Sequence, residues 1–394
     1  MKKQTNTYNR ISPAARIGNV SEYYFSKKLK EIARLNAQGK NIINLGIGSP
    51  DLPPAPSTLS TFCAEVVKSD AHGYQPYAGI AQLRNAFAGW YGKWFGVELD
   101  PDREIQPLIG SKEGILHISL AFLNPGDAVL IPNPGYPTYS SASKLAGAEI
   151  LEYPLSEKND WLPDFEALEK SDLSRVKLMW VNYPHMPTGT PASMPLFEKL
   201  IDLGKRHNIV VCNDNPYSFI LNDNPLSLLS VKGAKEMAIE MNSMSKSHNM
   251  PGWRMAMVAS NATFIEWILR VKSNVDSGQF KPMQLAAAEA LDYGKEWYDA
   301  INARYRKRRE LAAEIMDITG CMCNPAQTGL FLWGKIPLRY KNAEELSDEL
   351  LYKANVFATP GNIFGSQGEQ YIRLSLCCNE TMLKEAIRRI EEMI

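Results

Sequence analysis

The strongest constraint on the fold is a rhythm. Apolar runs of strand length recur at DAVLIP (127–132), VKLMWVN (176–182), IVVCND (209–214), EMAIEMN (236–242) and MAMVAS (255–260), with longer stretches of helical period between them. One such stretch, Pro195 to His207, carries Leu196, Leu200 and Leu203 at spacings of four and three. Strands that are apolar throughout and separated by helices predict an α/β fold with a mostly parallel sheet, covered by helices on both faces. The polar residues that end these strands then belong at the sheet's carboxyl edge, where ligands bind.

From about residue 290 the pattern changes to an Arg-rich helix around Asn302 to Arg309, read as a solvated face, then a short apolar run GLFLWG (329–334) and further helices. This predicts a smaller α+β domain over 291–394 and a large domain over 49–290. Residues 1–48 lack a sheet of their own and are expected to pack on the small domain. The Pro-rich SPDLPPAP (49–56) reads as a connection between the two bodies.

Lys+Arg and Asp+Glu both number 43, so bulk charge gives no reason to expect nucleic acid or an anionic membrane as partner. No segment approaches the ~20 apolar residues of a membrane span, and the N-terminus lacks the apolar run of a signal peptide. The cysteines at 63, 212, 321, 323, 377 and 378 form no CxxC pair and have no histidines at zinc spacing. Reduced thiols, no metal and a cytoplasmic location are expected.

Common catalytic signatures are absent. Gly46-Ile47-Gly48 begins a GxG that Ser-Pro-Asp interrupts, and there is no GxxxxGK[ST], HExxH or GxSxG. Three other segments carry chemistry. Gly110 and Ser111 precede a helix with Ile115, Ile118 and Phe122 on one face, a start that presents free N–H groups to an anion, although Ser111 also reads simply as an N-cap. Lys246 follows one strand beside Ser243 and Ser245, with Arg254 eight residues on. A lysine there suits imine formation and the arginine and serines suit a phosphate, against the plain alternative of a solvated loop. Asp214 ends the IVVCND strand, where a carboxylate needs a cation unless it only starts the turn at Asn215-Pro216.

Together these segments carry a family resemblance. From Leu45 to the C-terminus the chain resembles the fold-type I pyridoxal-phosphate aminotransferases of the aspartate aminotransferase class. Ser243-Met244-Ser245-Lys246 with Gly252-Trp253-Arg254 is similar to that family's Schiff-base lysine motif, and Asp214-Asn215-Pro216-Tyr217 to its D-x-x-Y element. Asn133-Pro134-Gly135-Tyr136, Pro187-Thr188-Gly189 and Tyr371-Ile372-Arg373-Leu374-Ser375 complete the set.

The resemblance implies pyridoxal 5′-phosphate as cofactor, with Lys246 as the covalent and proton-shuttling amine. It gives Asp214 to the ring nitrogen, Tyr217 to the ring oxygen and Tyr136 to the ring face. Gly110, Ser111 and Lys112 match the phosphate loop, assisted by Ser243 and Arg254, and Tyr74 matches the tyrosine that reaches a neighbouring subunit's phosphate in a homodimer with shared sites. Arg373 and Gly48 match the groups that take the substrate α-carboxylate. The family's Asn before Pro-Thr-Gly is Met186 here, leaving Asn182 or His185 as substitutes; a thioether cannot donate.

The implied activity is amino transfer between an L-amino acid (alanine, methionine or diaminopimelate-like) and a 2-oxo acid, with 2-oxoglutarate as the expected acceptor. Residues 273–287 look most like the alanine and LL-diaminopimelate aminotransferase branch. Tyr23, Tyr24, Phe280 and Trp333 are the candidate pocket aromatics, and no second arginine stands out for a distal carboxylate. A carbon–sulfur β-lyase uses the same lysine, aspartate and arginine. The non-enzyme rival, a regulator's cofactor-binding domain, requires a DNA-binding module that the ~45 residues before Gly46 are too few to supply.

Overall fold

The computed structural model describes residues 12–394; residues 1–11 of the expected N-terminal segment lie outside the described residues. Thirteen strands are seen among them: β1 Ile43–Asn44, β2 Ile105–Leu108, β3 Ala128–Asn133, β4 Glu149–Pro154, β5 Val176–Val181, β6 Val210–Asp214, β7 Ala238–Ser243, β8 Ala256–Ala259, β9 Met322–Cys323, β10 Phe331–Lys335, β11 Val356–Phe357, β12 Thr359–Pro360 and β13 Tyr371–Ser375. The chain is a mixed α/β protein. Its large sheet has the order β2-β8-β7-β6-β5-β3-β4, parallel from β7 to β4.

The apolar strands alternate between two cores. In β3, Ala128 and Leu130 face one cluster while Val129 and Ile131 face the other. In β8, Met257 and Ala259 oppose Ala256 and Val258 in the same way. Period two with both faces buried is why these runs read as continuously apolar. The covering helix Met194–His207 starts where Ser193 accepts from the Leu196 N–H at 3.3 Å and ends at Asn208, with φ 56°. Leu196, Leu200 and Leu203 are its buried stripe.

Only β8 runs against the rest, pairing antiparallel with both β7 and β2. Its start, not its end, therefore lies at the carboxyl edge, which is how Arg254 reaches the same rim as Asp214 and Ser243.

A second core gathers around the antiparallel sheet β12-β13-β10-β9 and includes Phe25, Ile43 and Leu45 from the N-terminal segment. The short strand β1 pairs in parallel with β11, tying that segment to the C-terminal part of the chain. The Arg-rich helix, Lys295–Thr319, corrects one expectation. Arg304, Arg306 and Lys307 are exposed, but Arg308 is only 2% exposed and forms a two-pronged ion pair with Asp51 at 2.7 and 2.9 Å. The helical period turns that one position inward, toward the β13 end of the small core.

Candidate active site

A cavity of about 600 Å³ opens at the carboxyl edge of the large sheet, against the small core. Gly48, Ser111, Lys112, Tyr136, Asn182, Asp214, Tyr217, Ser243, Lys246, Arg254 and Arg373 all line it. Gly110 stands directly behind, where a Cβ would meet the Arg254 guanidinium at 2.0 Å; its φ of +80° also favours glycine. Tyr74 is outside this cavity, 96% exposed on the surface.

Asp214 is buried at the end of β6. The Tyr139 hydroxyl donates to Oδ2 at 3.1 Å, and Oδ1 has no partner. Burial pushes this carboxyl up to about 6, against the Tyr139 and Ser111 hydroxyls and the nearby Lys246 charge, which favour ionisation. Tyr139 is itself wedged flat against Trp180, with ring centroids 5.1 Å apart. Tyr139 was not among the residues that the sequence pointed to, although it falls in the first turn of the helix Pro137–Leu145, which Tyr136 caps.

Lys246 sits in a single helical turn, Met244–Ser247, begun by Ser243, whose Oγ accepts from the Ser245 N–H at 3.2 Å. Burial lowers the pKa of its amine, and the neighbouring Arg373 and Arg254 charges lower it further. Its Nζ donates to the Gly48 carbonyl. The loop ahead of Ser111–Phe122 is held from behind: the Glu113 carboxylate accepts from the Ile109 N–H at 2.7 Å and from buried Lys272 at 3.1 Å. The Ser111 hydroxyl is buried near the Asp214 carboxyl, whose ionised form it favours, without closing a hydrogen bond among the described residues.

The opposite wall is aromatic. The Arg373 guanidinium lies 3.9 Å from the Phe331 ring centre and 4.6 Å from that of Phe364. Burial lowers its pKa to about 10. Nη2 donates to the Gly46 carbonyl at 2.7 Å, Nη1 touches the Met186 sulfur at 3.1 Å, and Nε is unpartnered. Gly48 is pressed against Phe331, where a Cβ would come within 2.2 Å of the ring.

The two substitutes for the missing asparagine differ: Asn182 lines the cavity with both amide atoms engaged by backbone, whereas His185 keeps an unpartnered Nε2 but lies outside the cavity. Asn182 donates to the Asp214 backbone carbonyl and accepts from the Met186 N–H at 2.8 Å. His185 is buried against Thr188, its Nδ1 2.8 Å from Oγ1, and does not line the cavity. The aromatic expectations divide. Tyr23 lines the cavity, whereas Trp333 stacks on Tyr371 in the small core and Phe280 packs on Phe62 and His72. Tyr24 lines a neighbouring cavity of about 470 Å³ instead. Tyr23, Tyr136, Phe364 and Lys112 separate the two spaces, with Lys112 Nζ 4.2 Å from the Tyr23 ring centre, and the second also holds Glu22, Lys144 and Glu152.

These groups fit pyridoxal phosphate. A buried carboxylate oxygen lacks a donor, a depressed amine faces the same cavity, and a hydroxyl without a partner lies at a helix start beside an arginine. The profile of the family described as "Aminotransferase class I and II" matches residues 40–390. An LL-diaminopimelate aminotransferase of Dehalococcoides mccartyi is 41% identical over 377 residues, covering 95% of this chain and 97% of that protein. The structure of apo-BacF from Bacillus subtilis superposes with a TM-score of 0.93 at 35% identity, covering 97% of this chain and 98% of that one. A probable N-succinyldiaminopimelate aminotransferase from Thermus thermophilus gives 0.86 at 32% identity, covering 93% and 98%.

Proposed function

The chain belongs to the aminotransferase class I and II family, and on that premise we propose that it moves the amino group of a diaminopimelate-like L-amino acid to 2-oxoglutarate. It is a pyridoxal-phosphate-dependent aminotransferase. When bound, the cofactor supplies an aldehyde that condenses with amines and a ring that accepts the electrons released when Cα loses its proton.

The chain's own residues do the rest. Lys246 would hold the cofactor through Nζ and, when freed from it, would carry a proton to and from the substrate Cα; its depressed pKa leaves that nitrogen able to accept one. Asp214, with Oδ1 open, would pair with the protonated ring nitrogen, the cation that a buried carboxylate needs. Tyr217 serves the ring oxygen and Tyr136 gives the ring an aromatic face. The Gly110, Ser111 and Lys112 amides, with Ser243 and Arg254, hold the phosphate. Arg373 and the Gly48 backbone take the α-carboxylate, and Asn182 supports them by fixing the Asp214 and Met186 backbones.

The substrate reading rests on the wall between the two cavities. The Lys112 ammonium suits a distal carboxylate, and Glu152 next door, which accepts from Asn133, suits a distal ammonium; Glu22 there is already paired with Lys30. A far end carrying both charges is what distinguishes a diaminopimelate-like donor from alanine or methionine. The family resemblance and the exposure of Tyr74 support a homodimer in which Tyr74 completes the partner's phosphate site. Two bodies, 49–290 and 291–394 with the described part of 1–48 packed on the latter, and a cytoplasmic location complete the proposal. Among the described residues no helix is long and apolar enough to cross a membrane.

A single-turnover panel, following loss of the cofactor–lysine absorbance, tests the substrate. LL-diaminopimelate and glutamate should react fastest. Aspartate far ahead of both would contradict the reading, and ammonia release without an acceptor would favour the carbon–sulfur β-lyase.

A further inference from the structure

Residues 45 to 51 form a strap between the two walls of the active site, and it is fastened at both ends. At one end the Leu45 carbonyl accepts from the Ser375 N–H at 2.7 Å, and the Gly46 carbonyl accepts from Arg373. In the middle the Gly48 carbonyl accepts from Lys246. At the far end Asp51 is gripped by Arg308, whose Nη1 and Nη2 reach the two carboxylate oxygens.

Arg308 does more than pair with Asp51. Its Nη1 also donates to the Leu376 carbonyl at 3.2 Å, just past β13, and its Nε faces Glu380 at 3.4 Å. One buried guanidinium therefore joins the strap that carries Gly48 to the end of the strand that carries Arg373. A planar fork can hold a carboxylate and a carbonyl at set angles; a lysine ammonium at the same place keeps the charge but not that geometry.

We propose that Arg308 is a positioning residue for the substrate-carboxylate clamp, setting the Gly48 strap against Arg373 without touching substrate itself. The proposal rests on the reading of Gly48 and Arg373 as the α-carboxylate holders. A misplaced strap weakens capture of every substrate that bears that carboxylate, donor and acceptor alike, while leaving the cofactor end of the cavity unchanged.

The test is steady-state kinetics on the holoenzyme for Arg308→Lys, Asp51→Asn and Arg373→Lys, with exposed Arg306→Lys as control. Arg308→Lys should raise KM for the amino acid and for 2-oxoglutarate together by about tenfold, the size of one lost charge-assisted hydrogen bond, with kcat and the cofactor absorbance little changed. Inhibition by propionate, which carries the carboxylate and no amine, should weaken by the same factor. Asp51→Asn, at a partly exposed residue, should reproduce the effect even if Arg308→Lys folds poorly, and the double variant should add little to either single one. A lowered melting temperature with unchanged KM and unchanged propionate inhibition in both variants would overturn the proposal. If Arg373→Lys itself leaves KM unchanged, the clamp reading fails and the proposal falls with it; if Arg373→Lys raises KM and the Arg308 and Asp51 variants do not, only the proposal falls.

Discussion

The two walls of the active-site cavity solve opposite problems. On the large-sheet wall, polar groups stand at strand ends with hydrogen-bonding capacity left over: Asp214 Oδ1 and the Ser111 hydroxyl are buried and unpartnered. On the wall formed by the second core, Arg373 is caged by Phe331 and Phe364 and already donates to the Gly46 carbonyl. The first wall is prepared for a ligand that stays, since an unsatisfied buried group costs free energy that a resident cofactor removes. On the second wall Nη2 of Arg373 is held by the Gly46 backbone and Nη1 by the Met186 sulfur, while Nε is left open. The open groups of the two walls thus differ in sign: a carboxylate oxygen on one calls for a cation, a guanidinium nitrogen on the other for an anion.

The comparison breaks most sharply at Lys246. Lys246→Ala should abolish the borohydride-fixable adduct and lower turnover by more than the roughly 10²- to 10⁴-fold that general acid–base catalysis supplies, because covalent attachment is lost as well. An adduct recovered on Lys112 instead would place the chemistry on the wrong group.

Asp214 comes next, and it also carries a pH signature. Its carboxyl is raised from 3.8 to about 6, so in cofactor-free protein its contribution to stability is fully present below pH 3.8 and is lost as pH rises through 6. The shift of about two units corresponds to roughly 3 kcal/mol. Asp214→Asn should remove that pH-dependent loss and cripple proton transfer in the loaded enzyme. Bound cofactor should likewise abolish the loss, since it brings the missing cation. Unfolding midpoints measured between pH 4 and 8 check both statements, and identical pH curves for wild type and variant would show that the wall does not wait for a cation.

On the recognition wall the expected effects are smaller. Arg373→Lys should raise KM by roughly 10- to 100-fold, the loss of one charged hydrogen bond, while the cofactor absorbance stays unchanged. A spectrum that shifts with KM would mean that the two walls are not separable. Met186→Asn should change least. The new amide would compete for Arg373 and offer a donor to the ring oxygen, moving the titration of the bound chromophore measurably and KM by only a few-fold. An unaltered titration would show that the Met186 side chain does not face the ring.

Much of the large-sheet wall was legible in the chain because strand ends are legible. The runs ending at Asp214 and just before Lys246 were apolar enough to be read as buried strands, and the next polar residue then had to stand at the rim. Tyr139 was not legible. A tyrosine in the first turn of a helix looks like any core aromatic until the fold lays it against Asp214. Arg308 was misread for a related reason: local charge density says solvated face, and only the register of that helix against Asp51 turns one arginine of the cluster inward.

Sequence by itself determined the alternation of strands and helices, the sheet's carboxyl edge, and the lysine, aspartate and arginines that line the cavity. These follow from local periodicity and from the types of residue that a reaction requires, and both are written along the chain. Tertiary structure decided what surrounds them: the aromatic cage on Arg373, the engagement of Asn182 by backbone, the Lys112 wall between two cavities and the Arg308 tie on the strap. The ion pair alone joins residues 257 positions apart, and no local pattern specifies such a contact, because its energy depends on burial and distance that exist only once both cores have packed.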